Sequence, residues 1–388
     1  MPKDKIFRFL KTFFVFVILF NFQTSTNSKP VPPGAGEGDV AANILFLVDS
    51  SASMGAWIGN DGLDSVPNAV YDSAGRIIVT QQRGQGVLRY TAAGVRDRSF
   101  GTNGAIRNVG RCDQRVFNDG RIATNQNMRA NVSRNRNAKT VTAAIGNAPS
   151  RNLIFFSSTV RRTYHMIWAF DETGQNCRLA MDVPGMGTVK AFDIKTIGGT
   201  PYLFALGHGP NRRQGAFTSC NLNSLMCNFQ IFPRSNFSNL LLSFSRMSVN
   251  NEGTLVYLAN GNLQAYPLTT GGNAFSISEN RQRFCARVNN PDISSQLMNV
   301  NSVAVSPDDS NIVYIGSAYN FGIQKLEVTD AGCTVLTHVG RGIRSFDKNG
   351  GDDVTTIAAN DVNFSQVWGL EINSAGTRIL TSTEYGFV

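Results

Sequence analysis

From residue 70 onward, one local pattern keeps returning. An apolar run leads into a short turn of Gly, Asp or Asn, and a second run of β-formers follows. Residues 70–79 read Val-Tyr-Asp-Ser-Ala-Gly-Arg-Ile-Ile-Val, and residues 117–123 repeat the scheme as Phe-Asn-Asp-Gly-Arg-Ile-Ala. Looser copies lie at 194–205, 247–258, 303–315 and 370–380, and a unit at 152–171 has the paired runs with a different turn. Such turns need a left-handed backbone position, which Gly and Asn adopt at least cost. The turn residues Gly75, Gly120, Gly199, Gly253, Asp309 and Gly376 follow one another at roughly blade-sized intervals, and the widest gap holds the atypical unit. Hairpins returning every ~40–50 residues mark the four-stranded blades of a propeller. Residues 59–388 are therefore expected to form an all-β propeller of about seven blades, with almost no amphipathic helix.

Composition agrees with that reading. Charged residues are 16% of the 388 and hydrophobic ones 42%, with 37 Gly and only 3 His. A disordered chain, a coiled coil or a helix-rich cytosolic enzyme would carry more Glu and Lys, and a collagen would carry Gly at every third position.

The first 28 residues read as a secretory signal. Lys3, Lys5, Arg8 and Lys11 precede an unbroken apolar run at 13–20, and small polar residues at 24–28 offer a cleavage site. That run has the length of a signal core and is too short for a membrane span. No later stretch is long and apolar enough to cross a bilayer, so no span is expected after cleavage. Cleavage would take four cations and one anion from the formal charge of +9 and leave +6. The remaining Arg sit among Asn, Ser and Gly without interleaved rings, which argues for solvated loops and against nucleic acid. Residues 29–42 begin with three Pro and three Gly in eleven positions and read as a linker.

The six cysteines are Cys112, Cys177, Cys220, Cys227, Cys285 and Cys333. An even number in an exported chain favours disulfides. Cys220 and Cys227 enclose a short loop and are expected to pair; the other four leave their pairing open.

Two segments resemble known families. Residues 88–104, running Leu-Arg-Tyr-Thr-Ala-Ala-Gly-Val-Arg-Asp and on through Ser99-Phe100-Gly101-Thr102-Asn103-Gly104, resemble the delta-60 repeat of bacterial surface β-propellers. Residues 43–55, with Ile44-Leu45-Phe46-Leu47-Val48 running into Asp49-Ser50-Ser51-Ala52-Ser53, resemble the first strand and metal loop of a von Willebrand factor A domain. The resemblance implies that Asp49, Ser51 and Ser53 are Mg²⁺ ligands, since Mg²⁺ takes a few hard oxygens and keeps its waters. The rest of such a domain does not follow, so residues 43–58 are read as an isolated von Willebrand A-like strand with an incomplete Mg²⁺ site. The free apolar strand at 44–48 is expected to close the propeller by pairing near 370–383. A second oxygen-rich loop carries Asp347, Asn349 and Asp352 around Gly350-Gly351, a pattern that could wrap Ca²⁺.

No nucleophile elbow, His-Glu-x-x-His helix or phosphate loop occurs. His165 reads as a packed strand residue and His208 as part of an exposed turn. Catalytic residues are therefore not assigned. The module content is similar to that of type IV pilus tip adhesins of the PilY class. That similarity implies a secreted, periplasmic or cell-surface binding protein of bacterial type, non-catalytic and pilus- or attachment-related, whose partner is a protein or surface ligand, pilus components among them. Two alternatives stand beside it. One is a periplasmic propeller enzyme of lactonase or dehydrogenase type. The other is a truncated fragment of a longer von Willebrand A-containing surface protein.

Overall fold

The computed structural model describes residues 66–387, apart from 82–85, 93, 133–134, 147, 161–163, 234, 244–245, 273, 287–296, 298, 318–321, 340–366 and 384–385. The leader, the linker, the strand and loop at 43–58 and the loop with Asp347, Asn349 and Asp352 lie outside the described residues.

The described strands form six sheets. The first contains β1 (Asn68–Tyr71), β2 (Ile77–Thr80), β3 (Val87–Tyr90) and β4 (Ala105–Ile106) in that order. The second contains β5 (Asn108–Val116), β6 (Ile122–Asn131), β7 (Asn135–Ala143), β8 (Arg151–Val160), β9 (Tyr164–Asp171) and β10 (Cys177–Met181), in the order β6-β5-β10-β9-β8-β7. The third runs β11 (Thr188–Ile197), β12 (Thr200–His208), β13 (Gly215–Asn221) and β14 (Cys227–Phe232), and is followed by α1 (Asn236–Ser243). The fourth runs β15 (Arg246–Val249), β16 (Leu255–Asn260), β17 (Asn262–Gly271) and β18 (Ala274–Ile277), with β19 (Arg283–Cys285) also paired to β17. The fifth runs β20 (Val300–Val305), β21 (Ile312–Ser317), β22 (Ile323–Thr329) and β23 (Gly332–Val339). The last has β24 (Val367–Ile372), β25 (Ile379–Thr383) and β26 (Gly386–Phe387).

One edge strand of each sheet contacts an edge strand of the next. Contacts run β1 to β7, β7 to β11, β11 to β15, β15 to β20, β20 to β24, and β24 back to β1. This is a β-propeller-like arrangement. Among the described residues five sheets have four or more strands and one has three, so the expected seven blades are not all seen there. The hairpin at 117–123 is where the sequence pattern misleads. Its strand β5 lies parallel to β10, with Cys112 opposite Cys177. The hairpins at 117–123 and 152–171 therefore share one six-stranded sheet, with β5 and β6 on its outer side.

The local turn chemistry is as the sequence requires. Gly75, Gly120, Gly199, Gly253 and Gly376 all have positive φ, between 67° and 84°. Gly207 matters for a different reason. It sits in β12, where a Cβ would overlap the Thr188 carbonyl oxygen of the paired strand β11. Both backbones are locked in a ladder, so neither can yield. Gly207→Ala is expected to cost roughly 1–3 kcal/mol, as overpacking does; urea unfolding of the variant would show it, and a midpoint equal to wild type would refute it.

The segment resembling the delta-60 repeat builds a packed corner. Arg89, only 4% exposed, donates from Nε to Asp97 Oδ2 at 2.8 Å, and its guanidinium stacks over the Phe100 ring with 4.6 Å to the centroid. Asp97 also accepts from the Ser99 amide at 3.0 Å and hydroxyl at 2.6 Å. Burial works against the Asp97 charge, but these bonds outweigh it and hold the carboxyl below its ordinary range. The motif residues are thus accounted for by packing.

A second carboxylate behaves alike. Asp171, at the end of β9, accepts from the Thr173 hydroxyl (2.5 Å), the Asn176 amide side chain (2.6 Å) and Arg178 (3.0 Å). Burial raises its pKa, and the hydrogen bonds more than reverse that, so it stays below the ordinary carboxylate value. A carboxylate with a depressed folded pKa contributes stability that is present above its unfolded pKa of ~3.9 and lost as pH falls through the folded value. Stability should therefore fall on acidification below about pH 4, and Asp171→Asn should shallow that slope in pH-dependent urea melts. An unchanged slope would remove Asp171 from the account.

Three disulfides join Cys112 to Cys177, Cys220 to Cys227, and Cys285 to Cys333, using all six cysteines. Cys220 and Cys227 face each other across β13 and β14. Only one helix, α1, occurs among the described residues, and no helix there is long and apolar enough to cross a membrane.

Candidate functional site

The ring of edge strands is stitched by side chains. Asn68 Nδ2 donates to the Ala138 carbonyl at 3.1 Å, and the Thr140 hydroxyl donates back to the Tyr71 carbonyl. Asn137 Nδ2 reaches the Lys190 carbonyl at 3.1 Å. The Val249 amide donates to Asp193 Oδ2 at 2.8 Å, and the Val305 amide to the Ser248 hydroxyl at 3.2 Å. Asn301 Nδ2 donates to the Val367 carbonyl at 3.2 Å. The β24–β1 junction closes by contact, where Gly369 lies close to the Pro67 carbonyl and Asn68 Oδ1. Arg246 spans the ring from β15 and donates to the Pro67 carbonyl.

Within this ring sits a charged cluster. Lys139 Nζ on β7 lies 2.5 Å from Glu371 Oε2 on β24 and 3.2 Å from Asp193 Oδ1 on β11. The side chains are 14%, 20% and 1% exposed respectively. Burial disfavours the ammonium charge, but the pull of Asp193 and Glu371 exceeds it, and the Lys139 pKa is raised. Burial raises the Glu371 carboxyl, and Lys139 only partly offsets this. Lys195, two residues from Asp193, donates to Asn251 Oδ1 at 3.0 Å, and burial depresses its pKa against the attraction of Asp193. Lys139 is thus clamped between two carboxylates and acts as a strut between three sheets.

Beside the cluster opens a cleft of about 480 Å³. Its walls come from the β1–β2 turn, from β7 and β8, and from the β24–β25 turn. The two turns are built alike. Asp72 Oδ1 accepts from the amides of Ala74 and Arg76, and Asn373 Oδ1 accepts from those of Thr377 and Arg378. On the facing wall the Thr142 hydroxyl donates to Asn152 Oδ1 at 2.6 Å, and Asn152 Nδ2 donates to Glu172 Oε2 at 3.2 Å. Tyr71 lines the cleft between the walls. Burial raises its hydroxyl pKa, and the positive charge of Arg378 works in the opposite direction.

The metal candidates Asp49, Ser51, Ser53, Asp347, Asn349 and Asp352 lie outside the described residues, as does the strand at 44–48. Among the described residues, no group of three or more His, Cys, Asp or Glu could hold a metal. His208 does not sit in a free turn. It ends β12 and pairs with Thr188 and Gly215, with Nδ1 2.8 Å from the Arg212 carbonyl oxygen. Sequence reading passed over Lys139, Asp193 and Glu371. Their signal was a lone charge inside a run of β-formers, such as Asp193 between Phe192 and Ile194, in a chain that spends few charges.

No protein-family model matches the chain, and no curated protein matches it either. Among solved structures it is similar to one titled "Crystal structure of the Chaetomium Thermophilum polycomb repressive complex 2 (PRC2)", with a TM-score of 0.41 and 9% identity. The match covers 68% of this chain and 48% of that one, so it spans about half of that chain's length.

Proposed function

We propose that this chain is an exported, non-catalytic binding protein of bacterial type whose propeller presents a preformed cleft to a surface or protein ligand. The observation that carries the reading is the state of the central charges. Lys139, Asp193 and Glu371 are spent on one another and hold three sheets together around the cleft. A general acid or base needs a group within reach of its substrate and free to exchange a proton, whereas a Lys held between two carboxylates is committed to structure. Three disulfides are compatible with a secreted or extracellular setting. The leader at 1–28 and the module resemblance at 43–55 extend the proposal to attachment at a cell surface beside pilus components. In that setting Asp49, Ser51 and Ser53 would become full Mg²⁺ ligands only with oxygens from a partner segment.

The test is direct. Exported protein, labelled and purified, should bind cell surfaces saturably, and intact-mass analysis should show cleavage within residues 24–28. A protein that is exported but shows no saturable binding to bacterial or animal cells would sink the binding reading.

A further inference from the structure

The cleft of about 480 Å³ lies within the usual size range of small-molecule sites. Its polar groups are fixed before any ligand arrives. Asn152 is held between Thr142 and Glu172, with one amide hydrogen committed to Glu172 Oε2. Glu172 Oε1, the Tyr71 hydroxyl and the Arg378 guanidinium take no hydrogen-bond partner among the described residues. Donors and acceptors are therefore both present in one concavity, with a tyrosine ring among them. Such a ring offers an apolar body and a polar tip.

Charge narrows the ligand class. An anion would meet the carboxylates of Asp72, Glu172 and Glu371, all of which line the cleft. A cation would meet Arg378 in the lining, and it would compete with Arg76, which already bridges Asp72 at 2.6 Å and Glu172 at 3.8 Å. A neutral molecule rich in hydroxyls suits both sets, because each hydroxyl donates and accepts.

We infer that this cleft binds a neutral saccharide, with Asn152, Glu172, Tyr71 and Arg378 as its contacts. The inference rests on the binding reading above and names the ligand class for its site. Fixing the polar groups in advance lowers the ordering cost of binding.

Saturation-transfer NMR on the purified full-length exported protein tests it. The panel is glucose, galactose, mannose, N-acetylglucosamine, lactose and cellobiose, with glucuronate as the anionic arm and putrescine as the cationic arm. At least one neutral sugar should receive saturation. Asn152→Ala and Arg378→Ala should each weaken that sugar at least about ten-fold, the worth of one well-made hydrogen bond to a polar or charged group. Both side chains sit at the cleft wall outside the hydrophobic core, so melting temperatures should match wild type. The inference is overturned if no neutral sugar binds, if only glucuronate or putrescine binds, or if binding survives both substitutions. Cell-surface binding is measured separately. Saturable surface binding by a protein that takes no sugar of the panel removes the saccharide assignment and leaves the binding reading standing.

Discussion

Lys139→Met should destabilise the folded chain by about 3–5 kcal/mol, the cost of breaking a buried ion pair from one side. The substitution keeps most of the side-chain volume and removes only the charge. Asp193 and Glu371 then face each other in the ring with no cation between them, and Asp193 is 1% exposed. The Val249 amide still holds Asp193 Oδ2 at 2.8 Å, so the carboxylate cannot turn away without giving up a junction between β11 and β15. The effect has a pH signature. Without Lys139, Glu371 loses the cation that offsets its burial and gains by taking up a proton, so the variant should recover stability as pH falls toward the carboxylate range. The triple change of Lys139→Met with Asp193→Asn and Glu371→Gln should restore part of the loss, because the two carboxylates no longer repel, while the neighbouring Lys195 gives up the attraction of Asp193 and Glu371. Denaturant unfolding at neutral and mildly acidic pH reads all three quantities. A single variant within about 1 kcal/mol of wild type would show that Lys139 contributes little net stability to the cluster.

The second large effect concerns Cys112–Cys177. Its sequence separation is 65, and the chain-entropy estimate for a loop of that size is about 4 kcal/mol. Both residues are buried in the same apolar cluster as Trp168 and Phe156, so the thiols of a reduced protein would stay desolvated. The bond also fastens the outer hairpin β5–β6 to the rest of its sheet at the β5–β10 pair. A Cys112→Ala, Cys177→Ala variant should therefore lose several kcal/mol, and limited proteolysis should cut first within 108–131. Equal protease resistance in the variant and wild type would mean that strand pairing alone secures the hairpin.

Much of this architecture could be read from residues that act locally. An Asx or Gly turn between two β-runs specifies its own hairpin, because φ above zero is a property of a few neighbouring atoms. All the hairpins anticipated at 70–79, 117–123, 152–171, 194–205, 247–258, 303–315 and 370–380 are present. Assembly of hairpins into sheets is a different matter. Parallel pairing of β5 with β10 joins residues 65 positions apart, and nothing in the local pattern of 117–123 separates an outer hairpin from the inner pair of a new blade. The many exposed polar positions of β6 hint at the outer place, since an inner strand is covered on both faces.

The candidate site divides along the same line. Tyr71, Asp72 and Asn373 sit in two copies of the repeated hairpin pattern, at 70–79 and 370–380. That those turns face each other across a cleft follows only from the closing of the ring by β24 against β1. Lys139, Asp193 and Glu371 are far apart in the chain, and each alone resembles a solvated strand charge. By itself, then, the sequence determined the all-β class, the hairpins and their positive-φ turns, all of which depend on interactions across a few residues. Tertiary structure decided how the hairpins are shared among sheets, and it brought one lysine between two carboxylates. The reason is that Coulomb energy and burial depend on distance in space, and three residues that never approach in the unfolded chain acquire that energy only when the ring is complete.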